Sequence, residues 1–238
     1  MVLESCRIGE VFPSRKNKVF RVEIGDRIIV VKEFPQDARS RLRRELEMLK
    51  RCHGAGIAVP EPISTHGDAV LMEYIEGPSL AESFDLIAAK DAKSERSTEE
   101  SRVTIVDGLA SWLASFHRSV GFEMYRGDSI LKNFILSGDK VYGIDFEESG
   151  KGDPIQDVGQ ACSYILSSNP PFTDAKFGFV TDLTARYWEK VGRDRSADLP
   201  ESIAQGLEHY APFRSDRQRL LEWAHRMRMN GMPSHVKE

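Results

Sequence analysis

Apolar and polar positions alternate twice near the start of the chain. In KVFRVEI, Phe20, Val22 and Ile24 are separated by Arg21 and Glu23, the period of a strand with one buried face. Gly25 and Asp26 supply a two-residue turn into RIIVVKEF, so 18 to 33 is predicted to form a β-hairpin. A second hairpin, ISTHGDAVLMEYI, turns at Gly67 and Asp68. Between the two, 37 to 53 changes to a helical period. Leu42, Leu46 and Leu49 fall at i, i+4 and i+7, and Gly54 and Gly56 stop the helix. Gly77 and Pro78 then break the pattern.

Beyond residue 80 helical periods take over. A short helix is predicted over 80 to 89, and KDAKSERSTEESR (90 to 102) reads as a charged connector or helix start. Val106, Leu109, Leu113 and Phe116 make one helical stripe. Two short strands, NFIL and KVYGID, flank Ser137, Gly138 and Asp139, and from residue 155 onward only helical patterns remain. The expected architecture is α+β with two lobes. A small antiparallel sheet lobe with one helix (1–76) leads through a hinge near 73 to 79 into a larger, mainly helical lobe (77–238). Two unlike lobes leave a cleft, and clefts of that kind bind small ligands.

Composition narrows the class. The 238 residues are 40% hydrophobic and 29% charged, the profile of a soluble globular protein. A net charge of −4 argues against a nucleic-acid binder working by bulk charge. Cys6, Cys52 and Cys162 are scattered and read as reduced thiols. The opening MVLESCRIGEVF has no charged leader ahead of an apolar run, so no signal peptide is expected. No apolar run approaches the roughly 18 residues of a transmembrane segment. The expected location is the cytoplasm.

Candidate chemistry begins in YRGDSILKNFIL, where Asp128 precedes Asn133 by five residues at the start of a strand. Asp, Ser and Asn beside a glycine suit a surface turn; they equally suit a loop that sets a carboxylate beside a metal-binding amide. If NFIL and KVYGID fold back on each other, residues whose numbers sum to 277 or 278 pair, and the latter register sets Asn133 opposite Asp145. Cross-strand Cβ atoms lie about 4.5–5.5 Å apart, close enough for an amide oxygen and a carboxylate to share Mg²⁺. Asp145 alone could instead end the strand in an Asx turn. Lys32 follows four apolar residues of a strand, and buried lysines need partners. Glu45, three residues after Leu42 and four before Leu49, sits on the edge of the helix's buried face, whereas Glu47 points away. Lys32 snorkelling from a strand end beside a surface Glu45 is the alternative. A braced cation facing an Asp and an Asn on a metal is apparatus for a nucleoside triphosphate.

The ordered set Lys32, Glu45, Asp128 with Asn133, then Asp145-Phe146 resembles the protein-kinase-like superfamily. GDSILKNFIL and GIDFEESGKGDPIQDVGQ look most like its aminoglycoside phosphotransferase branch, with lipopolysaccharide kinases similar relatives. RRELEMLKRCHGAGIAVPEPI resembles Bud32-type kinases. The resemblance covers roughly residues 15 to 165 and implies ATP and Mg²⁺ as cofactors. It implies that Lys32 holds the α- and β-phosphates and Glu45 fixes Lys32. Asp128 would accept or orient the attacking hydroxyl, while Asn133 and Asp145 would bind the metal. Asp157 would brace the catalytic loop, and His117 would pack and hydrogen-bond at the end of the preceding helix. Glu73, Tyr74 and Ile75 would form the hinge whose backbone reads adenine, and Asn17 matches an asparagine of the first loop.

Three departures from the family pattern stand out. The first loop, PSRKNKV, has no glycine, and Arg15, Lys16 and Lys18 offer charge instead. Arg126 replaces the histidine usual before the catalytic Gly-Asp, where it could pair with an acidic residue or bind a phosphorylated substrate. DFE stands in place of DFG, and no activation segment of the protein-kinase kind follows. The resemblance therefore implies a phosphotransferase acting on a hydroxyl of a small-molecule, sugar or lipopolysaccharide acceptor. The alternatives are a Bud32-like specialised protein kinase or ATPase with a protein partner, or a nucleotide-binding pseudokinase.

Overall fold

A computed structural model of the chain describes residues 6–91 and 97–233. Five antiparallel strands form the first sheet: β1 (Cys6–Phe12), β2 (Lys18–Ile24), β3 (Arg27–Glu33), β4 (Pro62–His66) and β5 (Ala69–Glu73), in the order β1-β2-β3-β5-β4. Both predicted hairpins are present. The strand β1 was not individually expected. Its pairing with β2 shifts between Ile8 and Val11, so Gly9 and Glu10 form a bulge that breaks the apolar alternation a sequence would display.

The expected first helix is α1 (Arg39–Gly54), preceded by a single 3-10 turn, Gln36–Ala38. Its buried face carries Glu45, Met48, Leu49 and Cys52, and Glu47 is exposed. The helical part follows with α2 (Leu80–Asp91) and α3 (Ser97–Ser119); part of the charged connector, 92 to 96, lies outside the described residues. The stripe Val106, Leu109, Leu113 and Phe116 is buried as its period demands. Helices α4 (Ile155–Ser167), α5 (Asp174–Val191), α6 (Leu199–Tyr210) and α7 (Arg217–Asn230) complete the chain. The fold is α+β, an antiparallel sheet followed by a larger helical part, as expected.

Between α3 and α4 four short strands frame the loops of interest. β6 (Met124–Tyr125) pairs with β9 (Gly150–Lys151), and β7 (Phe134–Ser137) pairs with β8 (Lys140–Gly143). The β7–β8 pairs sum to 277, beginning at Phe134 with Gly143. This corrects the expected opposition of Asn133 and Asp145. Asn133 ends a 3-10 turn, Leu131–Asn133, and its carbonyl accepts the Ile144 amide at 3.0 Å. Asp145 adopts φ of +66°, which turns the chain out of the ladder.

Candidate active site

Strand β3 carries Lys32 into a nearly closed pocket of carboxylates. The lysine is 5% exposed and Glu45 1%. Lys32 Nζ lies 3.2 Å from Glu45 Oε2, 2.8 Å from Asp145 Oδ1 and 3.4 Å from Glu147 Oε2. Burial pulls the Lys32 pKa down, but the three carboxylates outweigh it and hold the pKa above the ordinary lysine value. Glu45 Oε2 also accepts the Phe146 amide at 2.6 Å, so one carboxylate ties α1 to both β3 and the segment after β8. Burial pushes Asp145 up, and Lys32 beside it reverses that, leaving its carboxyl below the usual range. The Asp145 side chain is 35% exposed, so this charge has one open side.

The loop between β6 and β7 holds the second half of the site. Asn133 Nδ2 donates to the Asp128 carbonyl at 2.9 Å and to Asp128 Oδ2 at 3.0 Å, so the amide locks the carboxylate rather than facing a cross-strand partner. Burial raises the Asp128 pKa and nearby Asp145 adds to it, with Arg126 opposing. Asp157, in the first turn of α4, accepts the amides of Arg126 at 2.6 Å and Gly127 at 3.0 Å and the Ser129 hydroxyl at 2.8 Å. His117 bonds Asp157 at 2.9 Å and Tyr187 at 2.8 Å. Gly127 has φ of +100°, and a Cβ there would lie 2.2 Å from the Glu148 carbonyl oxygen, so only glycine fits.

Arg126 does neither of the two things its position suggested. It is fully buried, donating to the carbonyls of Asp128, Asn133 (3.1 Å) and Ile144. Its guanidinium lies 4.7 Å from the Phe134 ring centroid and 5.3 Å from that of Phe146. It faces inward and holds the loop from beneath.

The remaining expected residues are Asn17, in the first loop, and Glu73, Tyr74 and Ile75, at and just after the end of β5. Asn17 Nδ2 donates to Glu147 Oε2 at 2.5 Å, and Asn17 Oδ1 is buried with no partner among the described residues. Glu73 ends β5, its carboxylate accepting the Glu61 amide at 3.1 Å. The Tyr74 ring stacks on Phe12, and Ile75 is buried. These side chains are engaged structurally. Glu147, Arg41 and Arg44 were missed: Arg41 reaches Glu147 at 3.2 Å and Arg44 its carbonyl at 3.0 Å. Arg41 stands four residues before Glu45, on the same helix face, and that spacing was the available signal. For Glu147, DFE in place of DFG was the signal.

No group of three or more His, Cys, Asp or Glu suited to a metal occurs among the described residues. One carboxylate and one amide fit a hard cation that keeps several waters and shares phosphate oxygens, the usual habit of Mg²⁺. The buried Lys32 likewise suits an anionic ligand such as a nucleotide triphosphate.

The RIO domain family model matches residues 18–149, and the chain belongs to that family, whose domains are kinase-like. The EKC/KEOPS complex subunit BUD32 of Encephalitozoon cuniculi is 29% identical over 136 residues; that match covers 57% of this chain and 57% of the relative. Two solved structures share the fold. Amicoumacin kinase, solved with AMP-PNP, Ca²⁺ and its ligand, has a TM-score of 0.63 at 11% identity, with 97% of this chain and 90% of that chain covered. An aminoglycoside phosphotransferase homologue from Ralstonia eutropha JMP134 has a TM-score of 0.52 at 16% identity, over 96% of this chain and 91% of that one. No helix among the described residues is long and apolar enough to cross a membrane.

Proposed function

We propose that the chain is an ATP- and magnesium-dependent phosphotransferase whose acceptor is a hydroxyl of a small molecule, sugar or lipopolysaccharide component. The observation that supports it most is the Lys32–Glu45–Asp145 cluster, with Lys32 Nζ 3.2 and 2.8 Å from the two carboxylates, in the same fold as an Asp128 locked by Asn133. In this reading 1–76 forms the nucleotide-binding lobe, with Glu73, Tyr74 and Ile75 as its hinge, and 77–238 carries the catalytic loop and acceptor site. Lys32 orients the α- and β-phosphates, and Glu45 fixes the lysine. Asp128 accepts the proton of the attacking hydroxyl, and its burial favours that transfer by making the carboxylate a stronger base. Asn133 and Asp145 would hold magnesium, which would supply positive charge to offset the charge developing on the transferred phosphoryl group. An enzyme of this kind draws on ATP in the cytoplasm.

A second reading, a Bud32-like kinase or ATPase that works in a protein complex, is favoured by the RIO domain match and the 29% identity to the BUD32 subunit. An ATP-consumption screen over sugars, amino alcohols, nucleosides and lipopolysaccharide fragments separates the two. Turnover with one acceptor class, lost in Asp128→Ala, supports the first; turnover only after a protein partner is added supports the second. ATP binding without turnover under any condition would leave a pseudokinase, and full ATP consumption by Asp128→Ala would show that the base is misassigned.

A further inference from the structure

Glu147 gathers more donors than a structural glutamate needs. Asn17 Nδ2 lies 2.5 Å, Arg41 3.2 Å and Lys32 3.4 Å from its carboxylate. The next residue, Glu148, takes Lys16 at 2.5 Å. These donors come from the first loop, β3 and α1, yet they converge on two consecutive carboxylates. Cations and an amide that meet at one anionic point form the donor set that a phosphate group requires. The first loop has no glycine whose backbone could close on phosphates, so its contribution has to come from side chains. Phosphate oxygens and the two carboxylates then compete for the same donors.

Resting on the phosphotransferase reading, we propose that Arg41 and Lys16 bind the terminal phosphates of the nucleotide, and that Glu147 and Glu148 hold these side chains as stand-ins for phosphate. Arg41 lies one helical turn before Glu45 on α1, so the helix that braces Lys32 also aims a guanidinium at the same carboxylate. A bidentate guanidinium suits a phosphate better than a second ammonium would. The opposing possibility is that Glu147 is a permanent ion-pair hub that never yields its partners.

Isothermal titration calorimetry of the full chain with ATP and with adenosine, in the presence of Mg²⁺, separates these. Glu147→Gln keeps the shape and removes the charge. It is expected to tighten ATP about tenfold, the equivalent of one charge-assisted hydrogen bond, and to leave adenosine unchanged. Arg41→Gln is expected to weaken ATP by about the same factor without affecting adenosine. Most of the gain from Glu147→Gln should vanish in the double variant, because both changes act on one contact. Glu148→Gln, at a partly exposed pair, should show a smaller gain and serves if Glu147→Gln fails to fold. ATP affinity that is unchanged or weaker in Glu148→Gln and in folded Glu147→Gln would overturn the proposal, as would an Arg41→Gln that binds ATP normally. A wild-type chain that binds neither ATP nor adenosine would refute the phosphotransferase reading itself, and the proposal with it.

Discussion

Arg126 places a guanidinium where solvent cannot reach it, and its energetics decide how rigid the Asp128 loop is. Three carbonyls and two close aromatic rings compensate the buried charge. Arg126→Met would leave the Ile144 carbonyl without its side-chain donor, while the Asp128 and Asn133 carbonyls keep Asn133 Nδ2 and the Ile144 amide. A loss of about 1–3 kcal/mol is therefore expected, the range for a buried polar group left unsatisfied. Urea denaturation measures it, and a loss under 1 kcal/mol would show that water replaces the guanidinium at little cost. Asp157 offers a pH test. Burial pushes its carboxyl up, but His117 and the amides of Arg126 and Gly127 reverse that, so the folded pKa lies below the ordinary range. A depressed carboxyl contributes stability above the unfolded value of about 3.9, and that stability is lost as pH falls through the folded value. Asp157→Asn should therefore be clearly less stable than wild type near pH 7, with the gap shrinking as pH falls below about 3.9; a gap that does not change with pH would contradict the assignment. Among these residues the pairing of Lys32 with Glu45 was legible, because a charge inside an apolar strand and a glutamate on a helix's buried edge each ask for a partner. The direction of Arg126 was not legible, since its acceptors are backbone carbonyls that no side-chain pattern encodes.

Helix α4 links the Asp128 loop to the rest of the helical part, through Asp157, and it does so at close quarters with α6. A Cβ on Gly159 would lie 2.1 Å from Ser202 Oγ and 2.6 Å from the Ser202 backbone carbon; one on Gly206 would lie 2.4 Å from Ser163 Oγ. Helix propensity alone favours Gly159→Ala by about 1 kcal/mol. Overpacking costs about 1–3 kcal/mol, and because a backbone atom cannot rotate away, the overpacking term is expected to win. The melting temperature of Gly159→Ala should fall, and turnover with it, because α4 carries Asp157 beneath Gly127. A rise in melting temperature would mean that the two helices separate without cost. Hairpins and helices were readable from period and turn residues. The bulged β1 and the two-residue strands β6 and β9 were not: a bulge scrambles the alternation, and two residues have no period.

Across the whole molecule, the division into a sheet and a helical part followed from the change of hydrophobic period near residue 80. The network that joins the two followed from no local pattern beyond the Arg41–Glu45 spacing and the DFE run. Asn17, Lys32, Arg41 and Glu147 meet across more than a hundred residues of sequence, and only the packing of α1 against the segment after β8 brings them together. If that network is a nucleotide site, ligand binding to the folded chain must stabilise it, by about 2.7 kcal/mol when free ligand is a hundredfold above its dissociation constant. The most direct measurement is thermal unfolding with and without ATP and Mg²⁺ for the wild type, Asp145→Ala and Asp128→Ala. The account predicts a raised melting temperature for the wild type and Asp128→Ala and none for Asp145→Ala; no shift in the wild type with any nucleotide would contradict it.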